Sequence, residues 1–407
     1  MATSPPETPA PEAVPAYGAA AYRRVLRADG FVPLAVASVL ARLPIGMGAI
    51  ALVLYVQHET GSFAAAGVAA AGYTVGLGLT APLLGRFVDS HGRVTLFPAA
   101  LVSSLALAAI VVLGSAGAAT WLLVAAAGLA GIAAPPLGGV LRHRLPELVD
   151  PADVPTTYAV DSILIEIFFI SGPLLSGGLA ATVGPGDALL VAALIGLAGT
   201  AWFALLLPPH RPDPEAAAGR PRGGALSSSA IRLLVFGGVP VGATFGALDV
   251  ALPAFGAAHG SAALGGPLGA ALAFGSALAG IAYGARPRAL GPPRQALLRL
   301  SALQAVLVLP LLLGSSVAAM FVLAAIAGTC VAPLISVRSE LVREMLPPGT
   351  GTEAFSWVTV SIAVGASAGS AIAGPLVEAG GWRAGVALAC AAPAAGFLGT
   401  VARRHVL

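Results

Sequence analysis

Residues 207–229 read LPPHRPDPEAAAGRPRGGALSSS, an island of Pro, Gly, Ser and charge in a chain that is otherwise apolar. The composition is that of a linker. Before it lie six apolar segments with cores near 31–56, 64–84, 94–114, 119–141, 158–183 and 186–207. After it come six more, near 229–257, 262–284, 294–314, 317–338, 354–378 and 382–402. About 20 such residues suffice to cross a bilayer. The expected fold is an all-α integral membrane protein of twelve transmembrane helices in two six-helix bundles. The expected divisions are a disordered tail over 1–28, a first bundle over 29–207, a linker over 208–228 and a second bundle over 229–407.

Composition agrees. Hydrophobic residues make up 57% of the 407 and charged residues only 10%, against about 25% in soluble domains. All 21 basic residues are arginine. Without lysine there is no P-loop of the usual kind and no Schiff-base enzyme, so a pump carrying its own nucleotide site is not expected. Cys330 and Cys390 lie in apolar runs, which does not indicate a disulfide framework. The N-terminal MATSPPETPAPEAVPAYG lacks the charged-then-apolar pattern of a cleaved leader.

The arginines orient the spans. Loops on one side hold Arg86, Arg93, Arg142, Arg144, Arg211, Arg220, Arg222, Arg286, Arg288, Arg338 and Arg343, and the C-terminus adds Arg403 and Arg404. The opposite loops hold only Arg383. By the positive-inside rule, both termini are expected in the cytoplasm and the chain in the cytoplasmic membrane. The net charge of +3 reflects this placement and not a nucleic-acid partner.

The halves also repeat. Gly131-Ile-Ala-Ala-Pro-Pro-Leu137 in the fourth span is matched by Gly328-Thr-Cys-Val-Ala-Pro-Leu334 in the tenth, and Gly85 and Gly92 by Gly284 and Gly291. Parallel six-span repeats are one way to build a secondary transporter with a site between the halves.

Between the second and third spans stands Gly85-Arg-Phe-Val-Asp89-Ser-His-Gly92-Arg93. This resembles the G-x-x-x-D-R-x-G-R loop of the major facilitator superfamily, departing from it at Ser90. The resemblance covers the chain after its tail and implies the family fold, alternating access and transport of a small solute. It implies that Gly85 lets span two approach span eleven and that Asp89 sits at the positive N-terminal end of span eleven. It also places Arg93 in a charge cluster closing the inner gate. The second copy has Arg288 and Pro292 where the first has Asp89 and Arg93, so gating is expected to rest on the first. Gly172-Pro173-Leu-Leu-Ser176-Gly177-Gly178 resembles the fifth-span signature of drug and metabolite efflux antiporters, with one residue extra before the glycine pair. It favours export. The arginine that proton-coupled members carry early in span four is absent from WLLVAAAGLAG, so other residues must couple protons.

Span five holds two acids. At 100° per residue, Ser162, Glu166, Phe169, Pro173, Ser176 and Gly177 share a stripe roughly 100° wide, expected to face the cavity. Asp161 points about 140° away from Glu166, near the cytoplasmic end. In span one, Arg42 lies near mid-bilayer, where an unpaired charge costs at least about 2.5–3.5 kcal/mol. Arg42 is about 17 Å deep and Glu166 about 12 Å, within reach of an arginine side chain. Two readings are open: an Arg42–Glu166 contact lining the cavity, or Arg42 bonding carbonyls freed near Pro44. Asp249 in span seven is a further proton or substrate candidate, or an outer cap for a neighbouring helix. Phe168, Phe169 and Trp357 could stack on a substrate.

Gly365-Ala-Ser-Ala-Gly369 matches G-x-S-x-G, but the nucleophile elbow needs a strand-to-helix turn and a histidine. Close helix packing through small residues explains it. The six histidines are scattered without metal-ligand spacing. The sequence thus points to a non-enzymatic, monomeric carrier without cofactor or metal, whose partners are the lipid bilayer, a small-molecule substrate and protons. An importer, a uniporter and a non-transporting receptor or scaffold remain the alternatives.

Overall fold

The computed structural model describes residues 18–208, 219, 221–260 and 264–406. The first half holds α1 (Ala19–Arg27), α2 (Phe31–Thr60), α3 (Phe63–His91), α4 (Leu96–Ser115), α5 (Thr120–Ile132), α6 (Leu137–Arg144), α7 (Val154–Thr182) and α8 (Pro185–Leu206). The second holds α9 (Ser229–Phe236), α10 (Gly238–Ala258), α11 (Gly265–Ala285), α12 (Pro293–Leu307), α13 (Val317–Gly328), α14 (Val331–Met345) and α15 (Gly351–Ala402). No strand occurs among the described residues. In hydrocarbon every backbone polar group must be bonded within the protein, and helices meet that demand segment by segment.

Ten helical segments among the described residues are long and apolar enough to cross a membrane. Two of them, Ala65–Ser115 and Gly351–Ala402, have 51 and 52 residues, more than twice what one crossing takes. Each is bent at a glycine with positive φ, Gly92 at 72° and Gly381 at 69°, a conformation glycine adopts without the Cβ penalty. The repeated GIAAPPL and GTCVAPL runs coincide with matching interruptions. One separates α5 from α6 and the other α13 from α14.

Each half has its own core. Leu52, Tyr55, Leu107, Ile110 and Leu123 pack in the first, and Leu252, Phe255, Met320 and Trp382 in the second. A further cluster crosses between halves at the arginine-rich end, where Tyr158 of α7 meets Phe355 of α15 with ring centroids 6.2 Å apart.

The expected disorder over 1–28 does not hold for its last part. Ala19–Arg27 is helical, because it gains partners on both halves. The Tyr22 hydroxyl donates to the Ile281 carbonyl (2.9 Å) and the Gly18 amide to the Ala285 carbonyl (2.6 Å). Arg24 grips Asp153 through two bonds of 2.8 and 2.6 Å. Burial pushes the Tyr22 phenol up to about 12, so it keeps its proton and remains a donor at neutral pH. Residues 1–17, and 209–218 and 220 of the expected linker, lie outside the described residues.

Candidate functional site

The hydrogen bonds and ion pairs that join the two halves gather, among the described residues, at the arginine-rich end and reach inward as far as Glu166. At the outermost level, α3 ends against the start of α15. Asp89 accepts from the amides of Thr352 (2.9 Å) and Glu353 (3.1 Å), donors left unsatisfied by the helix geometry. A Cβ on Gly85 would meet the Glu353 backbone at 3.1 Å. Arg86 stands 3.7 Å from Glu353, whose carboxylate also accepts from the Ala225 amide at 3.2 Å.

The second copy of this loop crosses without charge. The Thr156 hydroxyl at the start of α7 donates to the Gly284 carbonyl at 2.7 Å. Arg288, the counterpart of Asp89, pairs instead with Glu340 of its own half at 3.0 Å.

Arg93, expected in the gate cluster, bonds within its own half in this structure. It donates to the carbonyls of Ala204, Leu205 and Leu207, closing the C-terminal end of α8 in its own half. The negative end of a helix is a favourable place for a cation. Gly92 supplies the turn that brings Arg93 there.

Deeper in, α7 carries the polar contacts. Ser162 and Ser336 of α14 lie 3.1 Å apart. Ser276 of α11 donates to Glu166 at 2.8 Å and itself accepts from the Ala332 amide at 3.2 Å. The Arg42–Glu166 contact is absent in this structure. Arg42 reaches Asp161 instead, with Nη1 at 3.1 Å from Oδ1, while Arg142 of α6 holds Oδ2 at 2.8 Å. Arg42, Asp161 and Arg142 are 2%, 1% and 6% exposed. Arg42 also donates from Nε to the Ser38 carbonyl (3.2 Å) and stands 5.3 Å over the Phe168 ring. The Ser38 carbonyl lies two residues before that of Leu40, the one Pro44 frees, so neither of the two sequence readings describes Arg42 fully.

The stripe on α7 divides. Ser162 and Glu166 face the other half, and Phe169 is exposed. Ser176 turns back to its own half and donates to the Met47 carbonyl at 3.0 Å. Gly172 packs against α2, where an added Cβ would meet the Gly46 carbonyl carbon at 2.6 Å. Gly177 has open space around it, and Pro173 lies within α7 between the two. The fifth-span glycine pattern therefore acts at Gly172 as a helix contact. Asp249 is exposed on α10 and makes no bond to Arg42, Asp161 or Glu166 among the described residues. Gly365 and Gly369 pack against the backbone of Val239 and Ala243 on α10, which accounts for the G-x-S-x-G string. Among the described residues no group of three or more His, Cys, Asp or Glu could hold a metal.

Residues 34–285 match the model of the Major Facilitator Superfamily. The chain belongs to this superfamily. It is a multi-span membrane protein of the transporter class, and its solved neighbours share the fold. The human organic anion transporter MFSD10 (TETRAN) has 17% identity and a TM-score of 0.69 over 93% of this chain and 99% of that one. A bacterial homologue of the iron transporter ferroportin in its outward-facing state has 15% identity and a TM-score of 0.72, covering 91% and 98%. No curated protein matches the chain.

Sequence reasoning passed over Arg142, Ser276, Ser336 and Glu353. Ser276 left a trace as the only hydroxyl in Ala270-Ala-Leu-Ala-Phe-Gly-Ser-Ala-Leu-Ala-Gly280. Arg142 was visible only as one of the topology-setting arginines.

Proposed function

We propose that this superfamily member is a proton-coupled exporter of a small solute, working as a monomer in the cytoplasmic membrane. In this reading the 51- and 52-residue segments each cross twice, giving twelve spans with both termini in the cytoplasm. The arginine-rich end is then the cytoplasmic gate, closed here by Asp89 on α15, Thr156 on α11 and the α1 contacts.

The observation that carries the reading is the Ser276–Glu166 bond. It ties a carboxyl of one half to a hydroxyl of the other about 18 Å along α7 from Val154. An intramembrane carboxyl is expensive unless it serves a pathway or a relay. Here the bond joins the two halves and breaks when they separate, so its protonation and the conformation are linked. The fifth-span resemblance supports export.

The test uses proteoliposomes holding a pH-sensitive dye, an imposed pH gradient and a panel of small solutes. The reading expects solute-dependent proton flux in the wild type and none in Glu166→Gln. Solute movement without any pH change would establish a uniporter and refute the coupling.

A further inference from the structure

The buried cluster of Arg42, Asp161 and Arg142 holds two cations and one anion. Glu166, the other carboxylate of α7, is turned to Ser276 and cannot supply the missing charge. The imbalance has a location. Both oxygens of Asp161 are engaged, and Arg142 Nε is spent on one of them. Arg42 Nη2 is buried with no hydrogen-bond partner, as is the hydroxyl of Ser38 one turn earlier on the same helix. Buried charges are normally paired, and an uncompensated one is among the costliest features a fold can carry.

A chain needing only a stable bundle would lose this cost by making position 142 or 42 neutral. The remaining pair would balance. Arg338 of α14 is buried too, with Nη1 donating to the Leu234 carbonyl at the end of α9 and Nε likewise without a partner, but it has no second cation sharing an anion beside it among the described ion pairs.

The surroundings favour one ligand shape. Arg42 lies over Phe168, and Phe168 touches Phe169 in a tilted pair with ring centroids 4.6 Å apart. Phe169 is 54% exposed, so the guanidinium is one ring away from an open face of α7. An apolar body could lie on these rings while its charged end meets Arg42 Nη2 and the Ser38 hydroxyl. A carboxylate suits both, accepting from a guanidinium and from a hydroxyl together.

We infer that the Arg42–Asp161–Arg142 cluster is the anion-recognition element of the substrate site, and that the substrate is a small monocarboxylate with an aromatic or apolar body. The inference rests on the transporter reading for the word substrate, but the site itself is a binding site and is tested as one. Arg142 acts as a positioning residue: by sharing Asp161, it keeps that carboxylate from satisfying Arg42 fully.

The experiment measures thermal unfolding of the purified full chain with benzoate, and with neutral benzamide as its near-isosteric control, at constant ionic strength. Benzoate is expected to raise the midpoint by a few degrees and to bind about tenfold or more tightly than benzamide, the scale of one charge-assisted bond. In Arg142→Gln the cluster is neutral, the protein remains folded and the preference for benzoate vanishes. In Asp161→Asn the preference is retained or grows. Equal effects of benzoate and benzamide on the wild type, or an unchanged preference in Arg142→Gln, would overturn the inference. Flux separates the two readings. Benzoate-selective binding without any flux keeps the site and refutes transport. Proton-coupled flux of other solutes without benzoate preference keeps transport and refutes the site.

Discussion

Ser276 of the second half donates to Glu166 of the first at 2.8 Å, the innermost of the described hydrogen bonds that tie the two bundles together. Between this bond and the arginine-rich end the halves also meet through Ser162 and Ser336, Tyr158 and Phe355, and Asp89 on the start of α15. The consequences can be taken one contact at a time.

Asp89→Asn removes the charge that faces two amides at the start of α15. Charge at such a terminus is worth about 0.3–1 kcal/mol when exposed and up to about 2 in partly buried geometry. Closure of the arginine-rich end should weaken accordingly. A cysteine at Ser356, buried between the two halves, should react with maleimide roughly tenfold faster in the Asp89→Asn background. An unchanged rate would show that this cap does not hold the end closed.

Asp161→Asn leaves Arg42 and Arg142 buried side by side without their shared anion. Breaking a buried ion pair by removing one partner costs about 3–5 kcal/mol. The drop in unfolding midpoint should be the largest of any single change in the cluster. Adding Arg142→Gln should recover part of it. A double variant no more stable than Asp161→Asn alone would argue against the electrostatic account.

Gly172 and Gly177 belong to one sequence signature but have opposite surroundings. Gly172→Val drives a side chain into the backbone of Gly46 and Met47 and should cost about 1–3 kcal/mol by overpacking. Gly177→Ala meets nothing within 4 Å and should leave the midpoint close to wild type. Similar losses in both would contradict the assignment of the contact to Gly172.

Arg93→Ala should destabilise the first half by about 1 kcal/mol, the scale of a lost helix-end bond. It should not change Ser356→Cys labelling, because the bonds of Arg93 to described residues stay within its own half. Faster labelling would restore Arg93 to the gate.

How much of this could be read in the sequence follows from which quantities are local. The spans, the linker and the arginine asymmetry are compositional, and the repeat marks the broken helices at Ala133 and Thr329. Asp89 at the start of α15 follows from a loop pattern with fixed spacing. The partner of Arg42 does not. Depth along two helices placed Arg42 near Glu166, but depth ignores which way each helix faces. The helical wheel put Asp161 about 140° from Glu166; that direction points into its own half, where Arg42 and Arg142 wait. The bonds of Arg93 were not legible because a loop motif does not reveal that α8, far along the chain, ends beside it. The α1 helix escaped notice because nine residues have little helicity alone, and Tyr22 and Arg24 gain their partners only from distant elements.

The account's central claim is that the arginine-rich end is a closed gate that opens when the Ser276–Glu166 tie is released. The most direct measurement is the distance between spin labels at Val94→Cys and Ala289→Cys, both exposed at that end, with Cys330 and Cys390 replaced by serine. Wild type should show a predominant short distance, and Ser276→Ala combined with Asp89→Asn should add a longer one. A single distance, identical in wild type and the double variant from low to high pH, would contradict the account and leave a rigid membrane scaffold.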